Sequence, residues 1–301
     1  MQIDVSIIIV NYNTKELLKN CINSIYKNTH DINFEIIVSD NGSVDGSIEM
    51  LKELFPDIIL LENNANLGFG KANNIAKKRA LGKYIFYLNS DTLLCNNAIK
   101  CFFDFWETNK DKSIGALGAN LIDYDNNYMH SFSNFPTYRK MIFEPIKFFF
   151  TANIKSILSV FIKNKVNTIK LNHSYNKFEG KVGYITGADL FLLNDEFALF
   201  DERFFMYYEE CDLELKLANL GKDRIIIDGP LIKHLENGSD KTKKGYSYSS
   251  IFNEISRVKY YRKNLKFHFL IPIMKLFVLL TWLNPIIFKK AKGHFKEYLK
   301  A

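Results

Sequence analysis

The chain has no CxxC pair, no zinc-type cysteine spacing, no Gly-x-Gly-x-x-Gly after its first apolar run, and no internal repeat or low-complexity linker. Each absence closes a class. Its four cysteines, Cys21, Cys95, Cys101 and Cys211, fall mostly inside apolar helix or strand patterns, so they read as reduced packing residues of a cytosolic protein. Without the glycine fingerprint, a Rossmann-type dinucleotide site has no phosphate turn where one is needed. The N-terminus runs straight into Val5-Ser6-Ile7-Ile8-Ile9-Val10, with no succession of basic, apolar and small-residue segments. That predicts no secretory signal and a place in the cytoplasm. An uninterrupted membrane span is missing too. Residues 269–288 come near the roughly 20 residues that cross a bilayer, but Pro272, Lys275, Asn284 and Pro285 break the run.

Basic residues are in excess, 40 Lys and Arg against 33 Asp and Glu, for a net charge of +7. Much of the excess lies in the last third, at Lys241, Lys243, Lys244, Arg257, Lys259, Arg262, Lys263, Lys266, Lys289, Lys290 and Lys292. These residues flank the most apolar segment rather than form an aromatic-basic groove. The pattern points to an anionic membrane surface and away from nucleic acid. Aromatics and cations on both flanks suit a segment lying in the membrane interface. A solvated basic helix and a true transmembrane helix are the alternatives. At 301 residues the chain suits one catalytic domain with an appendage.

Apolar runs at residues 3–10, 35–39, 58–61 and 84–88 alternate with helix-period segments, which predicts a mostly parallel α/β sheet. Leu17, Leu18, Cys21, Ile22 and Ile25 mark the first helix, with Asn13 and Glu16 as its capping box. Later elements are an aromatic helix at 98–106, strands at 114–117, 182–186 and 224–228, and a helix at 211–220 stopped by Gly221. Between them, a stretch of about 137–175 mixes Phe143, Phe148, Phe149 and Phe150 with Lys140, Lys147 and Lys155. It reads equally as an interfacial amphipathic insert and as a lid or buried helices.

Polar clusters follow the strands, where ligands bind in open α/β sheets. They are Asn11-Tyr12-Asn13, then Asp40-Asn41-Gly42-Ser43, then Asn66-Leu67-Gly68-Phe69-Gly70-Lys71, then Asn89-Ser90-Asp91. Each alone is ordinary turn chemistry. Asp91 is open to two readings, the cap of a helix starting near Leu94 or a metal ligand at a pocket.

In sequence order, VSIIIVNYN, DNGSVDGS, NLGFGKANN and YIFYLNSDTLL, then ITGADLFLLNDEFALFDERFFMYYEECDLELKLANLG and IKHLENGS, resemble the family 2 glycosyltransferases, and especially their rhamnosyltransferase-like branch. The resemblance covers residues 3–240. It implies a GT-A fold and an inverting transfer of one sugar from a nucleotide-diphosphate sugar, of dTDP-rhamnose or UDP-hexose type. The acceptor would be a hydroxyl of a growing lipid-linked glycan or oligosaccharide, and the cofactor Mn2+ or Mg2+. By position, Asp40 would bind the base, Asn11 and Tyr12 would wall its slot, and Asn41, Asn66, Gly68, Lys71 and Asn89 would complete the nucleotide site. Asp91 matches the last acid of the metal-binding DxD-type motif and His234 a further ligand, while Asn89 at the motif's first position adds no charge. Glu210 would be the base, supported by Glu209 and Asp212. Gly187, Ala188 and Asp189 would face the sugar or acceptor. The division that follows is a catalytic domain at 1–240 and a helical tail at 241–301 attaching peripherally to the inner face of the cell membrane. A sugar nucleotidyltransferase is a rival, although Asn11-Tyr12-Asn13 does not resemble its triphosphate loop. A non-catalytic membrane scaffold of glycan assembly is another.

Overall fold

The computed structural model describes residues 2–110, 113–161, 175–235, 247–266 and 268–301. Residues 162–174 of the expected insert, and the basic residues Lys241, Lys243 and Lys244, lie outside that set. The chain divides into two compact units, residues 1–135, 174–205 and 209–241 in one, and 136–173, 206–208 and 242–301 in the other.

The first unit opens with β1 (Val5–Asn11), α1 (Lys15–Asn28), β2 (Phe34–Asp40), α2 (Ser47–Leu54), β3 (Ile59–Glu62), α3 (Phe69–Lys77) and β4 (Tyr84–Asn89). Strands β3, β2, β1 and β4 are neighbours in that order and all parallel. Their runs are continuously apolar because both sheet faces are covered. Val5, Ile7 and Ile9 point into a core with Leu18, Cys21, Ile22 and Ile25 of α1, whereas Ile8 joins a second core with Ala76 of α3. Tyr84, Phe86 and Leu88 likewise face one core, and Ile85 and Tyr87 the other. The period of two along each strand divides the side chains between faces.

The chain continues through β5 (Thr92–Leu94), α4 (Ala98–Thr108), β6 (Ile114–Gly118), β7 (Leu121–Ile122), β8 (Phe132–Ser133) and α5 (Tyr138–Phe161). Then follow β9 (Gly180–Lys181), β10 (Tyr184–Ile185), β11 (Asp189–Leu193), α6 (Glu209–Asn219), β12 (Asp223–Ile226) and β13 (Ile232–His234). The main sheet runs β3-β2-β1-β4-β11-β6-β12-β9, and a small sheet runs β5-β13-β7.

Two local expectations are corrected, and one of the two readings of Asp91 falls away. Asp91 caps no helix: a strand, β5, follows it, and α4 begins only at Ala98, with Asn97 at the capping position. The capping box at α1 does not form, because Thr14 occupies the cap and Asn13, at φ +54°, accepts instead from the Val44 N–H at 2.8 Å. The strand expected at 182–186 is reduced to β10 at Tyr184–Ile185, with β9 ending before it at Lys181. Gly183 lies in the break, where a Cβ would sit 2.5 Å from the Ser133 carbonyl oxygen.

In the second unit, α5 packs along α8 (Ile271–Trp282), and α7 (Tyr248–Asn264) starts at a Ser247–Ser250 capping box. Trp282, Tyr260, Tyr261 and Tyr298 are fully buried, with the Trp282 and Tyr298 rings 4.8 Å apart. Arg257 is buried among them and is paired with Glu254, with Glu144 3.8 Å away. Pairing is the condition for keeping a buried charge. The apolar tail breaks at the residues that interrupt its sequence pattern: Pro272 starts α8, and after Asn284 a new helix, α9 (Pro285–Ala291), begins, followed by α10 (Phe295–Lys300). Among the described residues no single helix is long and apolar enough to cross a membrane. His268–Trp282 and Ile287–Lys300 meet that test only together, bent by 113°.

Candidate functional site

Hydrogen bonds tie the ends of β1, β2 and β4 together. Asn11 donates through Nδ2 to Asp40 Oδ2 at 2.7 Å and to Ser43 Oγ at 2.9 Å. Its Oδ1 accepts from Thr14 Oγ1 at 2.6 Å, and Thr14 in turn meets Ser90 Oγ at 2.9 Å. Asp40 Oδ1 also accepts from the N–H groups of Gly42 at 3.0 Å and Ser43 at 2.7 Å. The loop after β2 is joined to the start of α3 by Asn41, which donates to the Gly68 carbonyl at 3.1 Å and more weakly to Asn66 Oδ1 at 3.4 Å. Above this framework Tyr12 is 47% exposed, and Lys71 is exposed in the first turn of α3.

Gly68 sits at φ +86°, and a Cβ there would lie 2.3 Å from the Phe205 carbonyl oxygen, the acceptor of the Phe69 N–H at 2.8 Å. Only glycine tolerates both conditions. Gly68→Ala is therefore expected to lose about 1–3 kcal/mol from backbone strain alone, read as a lower denaturant midpoint. An unchanged midpoint would show that the turn yields freely.

The small sheet brings two distant residues together. β13 runs antiparallel to β5 with His234 opposite Thr92, and the Leu235 N–H donates to the Asp91 carbonyl at 2.8 Å. His234 Nε2 consequently lies 3.2 Å from Asp91 Oδ1, with both side chains partly exposed. A carboxylate oxygen and an imidazole nitrogen facing each other are two of the ligand types that divalent cations take. Among the described residues no group of three or more His, Cys, Asp or Glu could hold a metal by itself.

From Asp91 the site continues to the acids of α6. The Asn89 N–H donates to the Ala188 carbonyl at 3.0 Å. Next to it, a Cβ on Gly187 would contact Glu210 Cβ at 3.6 Å and Phe69 Cε1 at 3.8 Å, so Gly187 lies between Glu210 and the start of α3. Of the three candidate acids, Glu209 is 3% and Asp212 1% exposed, whereas Glu210 keeps an accessible face. Burial still pushes the Glu210 carboxyl up to about 7. A carboxylate raised into that range can exchange a proton near neutral pH.

Asp40 and Asp189 are both fully buried. Asp40 shapes the turn after β2, its two oxygens accepting from Asn11 and from the Gly42 and Ser43 N–H groups. Asp189 opens β11 opposite Leu88, and its Oδ2 accepts from the Ala119 N–H at 2.6 Å. Burial raises its carboxyl well above the usual range. Asp189 thus sits in the core at the start of β11, directly after Ala188.

Glu214, absent from the expected site, lies one turn behind Glu210 and is fully buried, its Oε2 accepting from the Ile185 N–H at 2.9 Å. Burial, then Glu210 and Asp189, hold its carboxyl well above the usual range. It fixes β10 and the approach to Gly187 against α6. The i, i+4 spacing from Glu210 was its one sequence signal. Thr14 and Ser43, which complete the strand-end network, carried only ordinary turn signals.

The profile of the family described as glycosyl transferase family 2 matches residues 6–165. An N-acetylglucosaminyl-diphospho-decaprenol L-rhamnosyltransferase of Mycobacterium tuberculosis is 26% identical over 214 residues, 66% of this chain and 66% of its own. Across the first curated relatives the chain spans 19% to 66% of their length. The mannosyltransferase PcManGT of Pyrobaculum calidifontis, solved with GDP-Man and Mn2+, is similar over 100% of this chain and 76% of that one, at TM-score 0.54 and 17% identity. GalNAc-T7, solved with UDP, GalNAc and Mn2+, is similar over 99% of this chain and 56% of its own, at TM-score 0.60 and 15% identity. The architecture is the GT-A fold, with helices on both faces of a mostly parallel sheet.

Proposed function

The chain belongs to glycosyl transferase family 2, and from that premise we propose that it moves one sugar, with inversion, from a nucleotide-diphosphate sugar to a hydroxyl of a lipid-linked glycan. The observation that carries this reading is the Asp91–His234 pair at the end of β4, beside the nucleotide loops. Solved neighbours hold nucleotides with Mn2+, and a relative is named for a diphospho-decaprenol acceptor. A UDP- or dTDP-linked donor would lay its base against the exposed Tyr12 ring, framed by the turn that Asp40 holds.

Asp91 Oδ1 and His234 Nε2 would hold the cation, Mn2+ or Mg2+, which when bound neutralises charge on a diphosphate leaving group. Glu210 takes the proton from the attacking acceptor hydroxyl. Glu209 and Asp212, both buried in the first turn of α6, support its position. Gly187 lies directly beside Glu210, where a Cβ would come into ordinary van der Waals contact with the Glu210 stem at 3.6 Å.

The location is part of the proposal. Phe269, Ile273, Leu276 and Leu283 are exposed on the second unit in a chain rich in nearby cations. That combination suits peripheral attachment to the inner face of the cell membrane.

Thermal unfolding of the full chain with UDP-, dTDP- and GDP-sugars, each with and without Mn2+, tests the donor reading. Ligand at about 100 times its Kd should stabilise the fold by about 2.7 kcal/mol. One nucleotide class is expected to raise the midpoint, and to do so further with Mn2+. No shift with any of them would overturn a nucleotide-sugar donor.

A further inference from the structure

Arg262, His268, Ile271, Pro272 and Lys275 line a cavity of about 520 Å3 in the second unit. The volume lies within the range of roughly 300–1,000 Å3 typical of ligand pockets. Among the described residues that line it, Arg262, His268 and Lys275 are basic and none is a carboxylate.

Among the described residues, the hydrogen-bond acceptors of Arg262 and Lys275 are neutral carbonyls. Arg262 Nη1 donates to the Lys300 carbonyl at 2.9 Å, and Lys275 Nζ to the Leu299 carbonyl at 2.8 Å. The Lys275 ammonium also lies 5.8 Å from the centroid of the Tyr298 ring. Lys275 is only 9% exposed, although it carries a charge on an otherwise apolar helix. Burial, with the Arg262 charge as a second cause, holds its ammonium down to about 8. Among the described residues these two cations meet carbonyl oxygens and a ring, a setting in which an added anion would relieve their mutual repulsion. Phosphate oxygens suit this donor set, since an arginine fork and a lysine ammonium both bind them through charge-assisted hydrogen bonds.

The other side of the cavity is apolar. Ile271 and Pro272 line it, and along the same stretch Phe269 is 69% and Leu276 53% exposed. A free inorganic ion would leave these side chains in water. An amphiphile would cover them while its head reached the cations.

We propose that this cavity binds the phosphate or diphosphate head of an amphiphilic lipid, with Arg262 and Lys275 as the anion-holding pair and Ile271 and Pro272 against the start of the lipid chain. Two sources share that chemistry, a bilayer phospholipid and a polyprenyl diphosphate carrier. The site deepens the acceptor class proposed above, but it rests on residues of the second unit alone. Its test uses no sugar donor, so a failure of transfer does not bear on it.

The experiment is flotation of the full chain with three vesicles: phosphatidylcholine alone, phosphatidylcholine with phosphatidylglycerol, and phosphatidylcholine with a polyprenyl diphosphate. Binding to at least one phosphate-bearing anionic vesicle is expected to exceed binding to phosphatidylcholine alone. Arg262→Gln should weaken it roughly tenfold, the loss of about one charge-assisted bond. Lys296→Gln, which removes an exposed charge outside the cavity, should leave it within about twofold. Arg262 is exposed, so its variant should keep the wild-type unfolding midpoint. Lys275→Met is the companion variant, and if it fails to fold, Arg262→Gln decides. Preference for the phosphatidylglycerol vesicle assigns the site to bilayer lipid, and preference for the polyprenyl vesicle to the carrier. Equal losses in Arg262→Gln and Lys296→Gln, or no binding above the neutral vesicle, would overturn the proposal in favour of a general basic surface.

Discussion

Glu210→Gln is expected to lower turnover by roughly 100- to 10,000-fold, the usual contribution of one positioned general base, while donor affinity stays close to that of the native chain. Glutamine keeps the shape of the side chain beside Gly187 but has no lone pair basic enough to take a proton. The pH profile supplies an independent reading. Because burial pushes the Glu210 carboxyl up to about 7, native activity should fall roughly tenfold per pH unit below that value, as the base fills with a proton. In the variant the residual rate should lose this limb. Stability should move the other way. Between the ordinary carboxyl value of 4.5 and about 7, the folded chain holds a proton that the unfolded chain gives up, so native stability declines as pH rises through that window. Glutamine has no such proton, and above pH 7 the variant should unfold at a higher temperature than the native chain. A variant with native turnover would transfer the role of base to another group. A variant that is inactive but still shows the pH limb in its residual rate would keep Glu210 as a structural residue and place the titration elsewhere.

The sheet was legible because burial on both faces leaves a continuous apolar run, as in Val5 to Val10, that few other structures produce. The helices between the strands could be read from their spacing for the same reason. What escaped was decided by partners far along the chain. β11 begins with Asp189, a polar residue that fitted a binding motif. Its place in the core depends on pairing with β4 and β6 and on the Ala119 N–H, none of which is local. Glu214 drew no assignment, because its acceptor role depends on Ile185, 29 positions earlier. Asn13 could have capped α1, but the Val44 N–H competed successfully for its side chain. Of the site, the strand-end clusters were visible as polar punctuation. The choice among Glu209, Glu210 and Asp212 was not, since it depends on which of three adjacent acids the fold leaves accessible.

Asp91→Ala should remove Mn2+-dependent donor stabilisation and lower turnover by roughly 100- to 1,000-fold, the scale of losing one preorganised electrostatic contact to a developing charge. The magnitude follows from the composition of the site. Asn89 occupies the position where a DxD-type motif would have its first acid, so Asp91 alone contributes negative charge there. His234 is a neutral donor at best, and its replacement by Ala should cost less. Because imidazole favours manganese over magnesium more than oxygen ligands do, that variant should also narrow the difference in activity between the two ions. Adding charge gives the opposite test. Asn89→Asp should tighten Mn2+ binding in the absence of donor, as a second carboxylate joins the site. The competing view is that Asp91 and His234 are only a structural pair bracing β5 against β13, given their 3.2 Å contact. In that case Asp91→Ala and His234→Ala would lower the unfolding midpoint by similar amounts, with and without Mn2+, and Asn89→Asp would leave Mn2+ affinity unchanged. A metal site requires instead that the Mn2+-dependent part of the midpoint disappear in Asp91→Ala while the metal-free midpoint stays near that of the native chain.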